Sequence, residues 1–315
     1  MNKMKRHLLT LYTRTPLHVG SGTSVDVVDL PIMRERITGF PIIPSTSLKG
    51  VLLQHAREIF DGGKYARAKS IPEEAKLLFG AVEGEGDRQF SNAGCLQIME
   101  AKILAFPVRS LAGCFAWITC PTVLERFLRD TGRKFSVAIV DKDRVVAGTD
   151  LVISGQNQVV LEEYAMELQP NSNGQAATLA GDLAGLVDDP LWTSKLASRL
   201  ALVHDENFQH FVTTCTEVVA RIAIDPATRT NTGGALFNQE NVPCEALFYS
   251  VLTVLPPRRC TDDNATGNPL DRANSKLTTL LPNGKDTQLQ PPILQIGGDE
   301  TTGHGLCATK REELS

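Results

Sequence analysis

The chain has 315 residues, of which 42% are hydrophobic and 22% are charged, a composition typical of globular proteins and not of disordered chains. Its 32 Lys and Arg against 36 Asp and Glu give a net charge of −4, which excludes a generally basic coat for nucleic acid but allows a local basic surface. No apolar run approaches the roughly 20 residues of a transmembrane helix, and we expect a cytoplasmic protein without a membrane partner.

The first part of the chain predicts a strand, a long loop and a helix. Residues 7–15 alternate apolar and polar side chains, which indicates a strand. The segment 19–44 contains Gly and Pro at irregular intervals, which favours an extended loop or hairpin. From Ser45 onward, hydroxyl residues precede apolar residues at helical spacing, which is the pattern of a capped helix.

The rest of the chain predicts more strands than helices. Further strands are predicted over 93–106, 111–120 and 135–168, and helices over 121–130, 188–203 and 206–215. The stretch 170–187 is small and polar, and we expect it to be mobile. Because helices fall between strands and no repeat has a fixed period, the sequence favours a single domain that is α+β or a ferredoxin-like sandwich, and not a doubly wound parallel sheet.

Charge is distributed unevenly along the chain. Residues 1–59 carry eight Lys and Arg against four acidic residues, whereas residues 150–210 carry nine acidic residues against two basic ones. This asymmetry favours different surfaces for different partners, although a solvated acidic face gives the same pattern.

Four short motifs occur in order along the chain: TPLHVGSG, IPSTSLKGVLL, FPVRSLAGCFAWITCP and LQIGGDETTGHG. Two longer segments are more diagnostic than any glycine loop: VVDLPIMRERITGFPIIPSTSLKG and VVARIAID…GGALF…ENVPCEALFYS. In order and spacing, across about residues 7–308, they resemble the RAMP superfamily of CRISPR proteins. The resemblance is to the backbone subunits of type III-B (Cmr) effector complexes in particular.

The resemblance implies one RAMP domain over residues 1–315 with an RRM-like, ferredoxin-type palm. It also implies an active-site loop at about 19–44, a variable helical insertion at about 150–215 and a thumb hairpin at about 219–245. In the family, copies stack along a guide RNA, and guide–target pairing reads the sequence of the target. We therefore expect guide RNA, target RNA, other copies of the chain and other Cmr subunits as partners.

RNA-binding residues are expected at the first helix, the glycine-rich loop 297–305 and the thumb. Lys49 follows a helix start, where free N–H groups and the helix dipole favour phosphate. The helix pattern alone favours a solvated lysine there, whereas the resemblance assigns Lys49 to guide-RNA phosphates. The residues that the resemblance implies are Lys49, Ser47, Arg221, Arg229, Gly297, Gly298, Gly303 and His304.

Three residues are candidates for catalysis. Asp29 and Asp26 lie close together in the sequence, and the family pattern VVD.PI.RE assigns the catalytic aspartate to Asp29. His18 precedes a glycine turn, and an imidazole both accepts and donates protons near neutral pH. Glu240 lies in FNQENVP, where relatives often carry aromatic and paired acidic residues. This sequence has Asn238 and Gln239 instead, so any acidic contribution from this segment rests on Glu240 alone.

The expected reaction is cleavage of target RNA at regular intervals by transesterification, in which a ribose 2′-hydroxyl attacks the adjacent phosphate. As a family thumb, the hairpin with Leu236 and Phe237 would insert between nucleotides. Asp29 would orient the nucleophile or help to hold Mg²⁺ or another divalent cation. Because one carboxylate cannot enclose an ion, that ion would bind mainly through RNA oxygens and water.

Three alternatives stay open at this point. A purely structural filament subunit would use Asp29 only to shape its loop. A stand-alone endoribonuclease that processes guide RNA would use His18 as acid or base. A type III-A backbone relative would differ in its partner subunits.

Overall fold

The computed structural model describes residues 4–22, 28–60, 71–83, 90–224, 227–229, 231–257, 267–283 and 292–314. Its strands are β1 (Lys5–Thr13), β2 (Ile42–Ile43), β3 (Gly80–Glu83), β4 (Phe90–Ala93), β5 (Leu96–Ile98), β6 (Ala101–Ser110), β7 (Cys114–Thr119), β8 (Arg144–Ala147), β9 (Gln158–Leu161), β10 (Tyr164–Leu168), β11 (Leu200–Val203), β12 (Glu217–Ile224), β13 (Asn231–Asn241), β14 (Leu247–Val254), β15 (Ile293–Gln295) and β16 (Leu306–Leu314). Its helices are α1 (Ser45–Phe60), α2 (Glu73–Phe79), α3 (Pro121–Thr131), α4 (Ser172–Ala184), α5 (Pro190–Arg199), α6 (Asp205–Thr214) and α7 (Pro269–Leu280). Within these ranges no helix has the length and apolar character to span a membrane.

The centre of the fold is the strand order β16–β1–β14–β6, in which every neighbouring pair is antiparallel. Along the chain, these strands and two helices follow the sequence β1–α1–β6–β14–α7–β16, which is the βαββαβ unit of a ferredoxin-like palm. Both faces of β1 are covered, since its residues from His7 to Thr13 are all buried. The α+β, ferredoxin-like fold class predicted from the sequence is confirmed.

Helix α1 packs through apolar side chains that recur every fourth residue. Leu48, Leu52 and Ala56 are buried and lie on one face of the helix. On the same helix, His55 Nε2 lies 3.1 Å from the carbonyl oxygen of Leu280, which ties α1 to the end of α7. The same spacing leaves Lys49 exposed.

The insertion between β7 and β12 contains strands as well as helices. Strand β11 pairs in parallel with β7, and β8, β10 and β9 follow it, so the insertion extends the palm sheet. The stretch 170–187, predicted to be mobile, contains α4 instead, because its small side chains allow the helix to pack with Leu179 and Leu183 buried. Leu200–Val203, predicted as the end of a helix, is a fully buried strand, since apolar residues suit a strand covered on both faces.

Strands β12 and β13 form a two-stranded hairpin that is a sheet of its own. It lies where the thumb was predicted, and its strands run from Glu217 to Asn241. The end formed by 217–219 and 239–241 is called the hairpin base below. Away from this base, Ile222 and Leu236 lie opposite each other and are 54% and 61% exposed, so one face of the hairpin presents apolar side chains to solvent.

Candidate functional site

Asp29 lies in a loop that pairs with strand β13. Its carboxylate oxygen Oδ2 accepts a 2.7 Å hydrogen bond from the backbone N–H of Asn238. The N–H of Leu30 donates to the carbonyl oxygen of Asn238 at 3.0 Å, and the N–H of Glu240 donates to that of Leu30 at 3.0 Å. Asp29 itself is exposed. The hairpin therefore fixes the direction of the Asp29 carboxylate while leaving it open to solvent.

The other edge of the same loop is bonded to the segment that follows β1. The N–H of Met33 donates to the carbonyl oxygen of Val19 at 2.7 Å, and the N–H of Ser21 donates to that of Pro31 at 3.0 Å. The loop is thus held between two backbone neighbours. Paired polar groups on both edges allow a loop to hold a reacting side chain in one orientation.

Glu240 is buried at the hairpin base, with 6% of its surface exposed. Its carboxylate accepts three hydrogen bonds, from the N–H of Ile32 at 3.0 Å, the hydroxyl of Thr216 at 2.8 Å and the guanidinium of Arg34 at 2.5 Å. These bonds occupy both carboxylate oxygens. The placement favours a role in positioning the loop of Asp29, whereas a direct catalytic role for Glu240 stays a prediction.

Arg34 is a residue that sequence reasoning did not single out. Besides its ion pair with Glu240, the Arg34 guanidinium donates to the carbonyl oxygens of Gly39 at 2.8 Å and Val212 at 2.9 Å. It therefore joins the loop of Asp29 to α6 and to the hairpin. Arg34 is the arginine of the pattern VVD.PI.RE, but neither this pattern nor the apolar residues before it reveal burial.

His18 is half-buried and lies beside the hairpin base. Its Nδ1 atom lies 2.6 Å from the backbone carbonyl oxygen of Glu240. Its own carbonyl oxygen accepts a 2.9 Å hydrogen bond from the N–H of Gly298. The structure thus brings His18, Glu240 and the glycine-rich loop together, and the hairpin links them to Asp29.

Glycines in the loop 297–305 are required by its geometry. Gly297 has a φ of +84°, and a Cβ atom there would lie 2.1 Å from the carbonyl oxygen of His18. Gly303 has a φ of +80° where a short 3₁₀ turn ends. Both positive φ values favour glycine, and at Gly297 the missing side chain also allows the loop to approach the His18 segment closely. Contact of Gly297, Gly298 and Gly303 with RNA stays a prediction.

Asp299 joins the glycine-rich loop to the hairpin. Its Oδ2 atom accepts hydrogen bonds from the Arg221 guanidinium at 2.9 Å and from the Gln239 amide at 2.5 Å. Arg221, a predicted RNA-binding residue, is therefore ion-paired within the chain. Sequence reasoning missed Asp299 because its glycine-rich surroundings indicate an ordinary turn.

His304 and Glu217 lie close together where the glycine-rich loop meets the hairpin base. Burial raises the pKa of the Glu217 carboxyl, and the nearby His304 opposes that shift. The Nδ1 atom of His304 is buried and finds no hydrogen-bond partner among the residues that the structure describes. The junction is therefore a poorly solvated environment in which a carboxylate is disfavoured.

The chain also matches a known protein family. Residues 10–308 match the family model of the RAMP superfamily. The chain belongs to this superfamily. Its ferredoxin-like palm is the fold that the resemblance predicted.

Two named relatives of this RAMP chain come from two organisms. The "CRISPR system Cmr endoribonuclease Cmr4" of Pyrococcus furiosus is 35% identical over 99% of this chain and 97% of its own length. The "CRISPR system CMR subunit Cmr4" of Saccharolobus solfataricus is 24% identical over 75% of this chain and 80% of its own length. These similarities confirm the resemblance to Cmr backbone subunits.

Solved structures show the same relationship. The crystal structure of oligomeric Cmr4 from Pyrococcus furiosus is 30% identical, covers 99% of both chains and has a TM-score of 0.71. A chain of the type III-B Cmr-beta complex bound to cognate target RNA is 19% identical, covers 98% of this chain and 96% of its own, and has a TM-score of 0.65. The second similarity shows the shared fold.

Three further predicted RNA-binding residues of this RAMP chain lie on α1 and between the two strands of the hairpin. Lys49 is exposed near the start of α1, a helix with no acidic residue in its first turn, and Ser47 is half-buried beside it. Arg229 is exposed in the turn between β12 and β13, with a φ of +54°. Their contacts with RNA stay predictions.

The described residues do not form a metal site by themselves. Among them, no group of three or more His, Cys, Asp or Glu side chains is placed to hold a metal ion. Asp26, the alternative to Asp29 as the catalytic aspartate, lies outside the described residues. Asp29 offers one carboxylate, of which one oxygen already accepts from Asn238. This donor set does not fit an all-protein Mg²⁺ site.

Proposed function

We propose that this RAMP chain is a guide-RNA-binding filament subunit of a type III-B CRISPR effector and that it cleaves complementary target RNA at regular intervals. The observation that carries the proposal is the exposed Asp29 carboxylate, on a loop bonded along both edges. The name of the Pyrococcus furiosus relative, a Cmr endoribonuclease, supports it.

The proposed partners are guide RNA, target RNA, other copies of the chain and other Cmr subunits. The names of the related structures, an oligomeric Cmr4 and a Cmr-beta complex bound to cognate target RNA, support these partners. A head-to-tail contact that does not close would let copies extend along an RNA. Exposed Lys49 near the start of α1 suits a phosphate of the guide.

The proposed chemistry is attack of a ribose 2′-hydroxyl on its own phosphate, with the 5′-oxygen as leaving group. The exposed apolar face of the hairpin, with Ile222 and Leu236, suits a wedge that separates bases and bends the backbone at the scissile phosphate. Asp29 orients the nucleophile for in-line attack. A divalent cation shared by Asp29, RNA oxygens and water would neutralise phosphate charge when bound.

The test is Asp29→Asn in the reconstituted effector with guide RNA. Asparagine keeps an oxygen for the N–H of Asn238 but removes the negative charge. We expect loss of target cleavage with guide and target binding retained, because an interaction used in the transition state affects the rate and not the ground-state association. Asp143→Asn, which changes an exposed carboxylate before β8, is the matched control.

Each alternative predicts a different result. Cleavage by Asp29→Asn at the parental rate is the result that a purely structural subunit predicts, and it would remove Asp29 from the catalytic residues. Cleavage of a guide precursor by the isolated protein would identify a processing enzyme, and type III-A subunits copurifying with the chain would identify that relative. Undiminished cleavage in the presence of a chelator would remove the divalent cation from the proposal.

A further inference from the structure

One carboxylate oxygen of the glycine-rich loop joins the two strands of the hairpin. Asp299 Oδ2 accepts a 2.9 Å hydrogen bond from the Arg221 guanidinium on β12 and a 2.5 Å hydrogen bond from the Gln239 amide on β13. The strand register places Gln239 opposite Val219, two residues before Arg221, so Arg221 and Gln239 are diagonal neighbours on one face of the hairpin. Asp299 therefore fixes both strands next to the hairpin base.

Asp299 is held in place by its own loop. Its φ of +63° lies in the left-handed region, which glycine adopts most readily and which aspartate and asparagine tolerate better than most residues. The N–H groups of Thr302 and His304 donate to its carbonyl oxygen at 3.0 and 3.2 Å. At 297, 303 and 305 the same loop uses glycine for a positive φ, whereas at 299 it carries a carboxylate. This contrast indicates that the Asp299 side chain has a role of its own.

Strand β13 connects the contact of Asp299 with the loop of Asp29. Gln239 is buried, with 2% of its surface exposed, and it forms an isolated parallel bridge with Leu30. The preceding residue, Asn238, donates its N–H to the Asp29 carboxylate. The path from Asp299 to Asp29 thus consists of two hydrogen bonds and two adjacent residues of β13. A displacement of Gln239 would move the N–H group that orients Asp29.

We propose that Asp299 is a positioning residue for target cleavage, which acts through Gln239 on the strand that orients the Asp29 carboxylate. The proposal rests on the proposed endoribonuclease function. The glycine-rich loop, expected to hold guide RNA, thereby also sets the direction of the group that orients the nucleophile. In-line attack depends on alignment, and a displacement of about 1 Å can lower a rate by about 100-fold. The affinity for target RNA depends mainly on pairing with the guide, so loss of the Asp299 contact should lower the rate and not the affinity.

The first experiment compares two replacements of Asp299 in the reconstituted effector with guide RNA. Asp299→Gly removes the carboxylate and suits the left-handed backbone, whereas Asp299→Asn removes the same charge but keeps an oxygen that accepts from the Gln239 amide. With saturating target, we expect the single-turnover rate to fall by about tenfold or more for Asp299→Gly and to stay within about threefold of the parental rate for Asp299→Asn. Target affinity should be the same for both variants, since they lose the same charge. Equal cleavage rates for the two variants would overturn the proposal.

Glu300→Gly is the matched control. Glu300 is the next residue of the loop and is exposed, and its carboxylate forms no hydrogen bond or ion pair with the residues that the structure describes. The control removes the same charge and introduces the same residue, so we expect it to cleave at the parental rate. A loss of cleavage as large as that of Asp299→Gly would overturn the proposal, because a looser or less acidic loop would then explain both variants. So would a fall in the rate of Asp299→Gly that only follows its unfolded fraction, measured by thermal melting.

The second experiment tests whether Asp299 acts through Gln239. Gln239→Met keeps a side chain of similar length that cannot donate to Asp299. Each single change removes the same contact, so we expect Asp299→Gly combined with Gln239→Met to cleave no more slowly than the slower single variant. Effects that multiply in the double variant would show that the two side chains act independently, and the assignment of Asp299 would be wrong.

Failure of the proposed function is a separate result. Transesterification leaves a 2′,3′-cyclic phosphate and a 5′-hydroxyl. A parental effector that does not cut an all-RNA target, or that leaves 5′-phosphate ends, would contradict that function and, with it, the role of Asp299. Failure of the Asp299 proposal alone leaves the parental and Asp29→Asn results unchanged.

Discussion

The guanidinium of Arg34 and the carboxylate of Glu240 form a 2.5 Å ion pair between the loop of Asp29 and the hairpin base. Only 20% of the Arg34 side chain and 8% of the Glu240 side chain are exposed, so the pair is largely removed from water. In such surroundings, loss of one partner leaves a buried charge without compensation. Loss of either side chain is therefore expected to disturb the position of the hairpin relative to the loop of Asp29.

The first prediction concerns Glu240→Gln, which keeps the shape of the side chain but removes its charge. We expect the free energy of unfolding to fall by about 3 kcal/mol, the usual cost of breaking a buried pair. Target cleavage should fall with it, because glutamine has one oxygen and cannot accept both from the N–H of Ile32 and from the Arg34 guanidinium, which bond to different oxygens of the Glu240 carboxylate. Denaturant unfolding and single-turnover cleavage measure the two effects.

A control pair for Glu240→Gln lies on the surface. Lys142 and Glu206 are 2.6 Å apart with both side chains 63% exposed, and exposed pairs contribute little. We expect no measurable change in unfolding or cleavage from Glu206→Gln. If Glu240→Gln lost cleavage without losing stability, Glu240 would act on the RNA directly.

The Arg34–Glu240 pair also shows what the sequence could and could not predict. Local patterns located the loop, the first helix and the order of the motifs that carry His18 and Asp29, because periodicity and turn residues are properties of short segments. The ion pair joins residues 206 positions apart, and no local pattern specifies such a partner. The secondary structure of Leu200–Val203 likewise depends on tertiary context, since a buried apolar run suits either a helix or a strand.

The second prediction concerns the charge of Asp299 in the glycine-rich loop. Asp299→Asn keeps a residue that tolerates the observed φ of +63°, and it removes one negative charge and with it the ion pair with Arg221. We expect tighter RNA binding and a log-affinity against log-salt slope that is steeper by about one. Lys49→Ala should change the slope by about one in the opposite direction. Equal slopes for the parental protein, Asp299→Asn and Lys49→Ala would show that neither Asp299 nor Lys49 lies near RNA phosphate.

The third prediction concerns the pH dependence of Glu217. Burial raises its pKa in the folded chain, so the protonated form is favoured by folding and its stabilising effect is lost as pH rises through the folded pKa. Glu217→Gln should therefore raise the melting temperature at about pH 7, and this gain should vanish at about pH 4, where the carboxyl of an unfolded chain is also largely protonated.

Asp205 provides a control for the Glu217 measurement, because its pKa is shifted in the opposite direction. Burial of the Asp205 carboxyl is outweighed by hydrogen bonds from the hydroxyl and the N–H of Thr122, and its pKa is lowered. Asp205→Asn should therefore lower the melting temperature at about pH 7, with a difference that narrows on acidification through the folded pKa. A Glu217→Gln gain that is the same at every pH would contradict burial as its cause.

The last prediction concerns the nucleophile and follows from the side chains at the site. Nucleases that use water as the nucleophile commonly hold two metal ions about 3.5–4 Å apart. The described residues provide no cluster of carboxylates for such a pair, whereas the 2′-hydroxyl of RNA already lies beside its phosphate and needs mainly alignment. A single 2′-deoxynucleotide at the scissile position should therefore block cleavage there and leave the neighbouring cuts unchanged. Gel analysis of end-labelled target, with enzymatic identification of the 2′,3′-cyclic phosphate, measures this. Efficient cleavage at the deoxy position would identify water as the nucleophile, and the transesterification mechanism would be wrong.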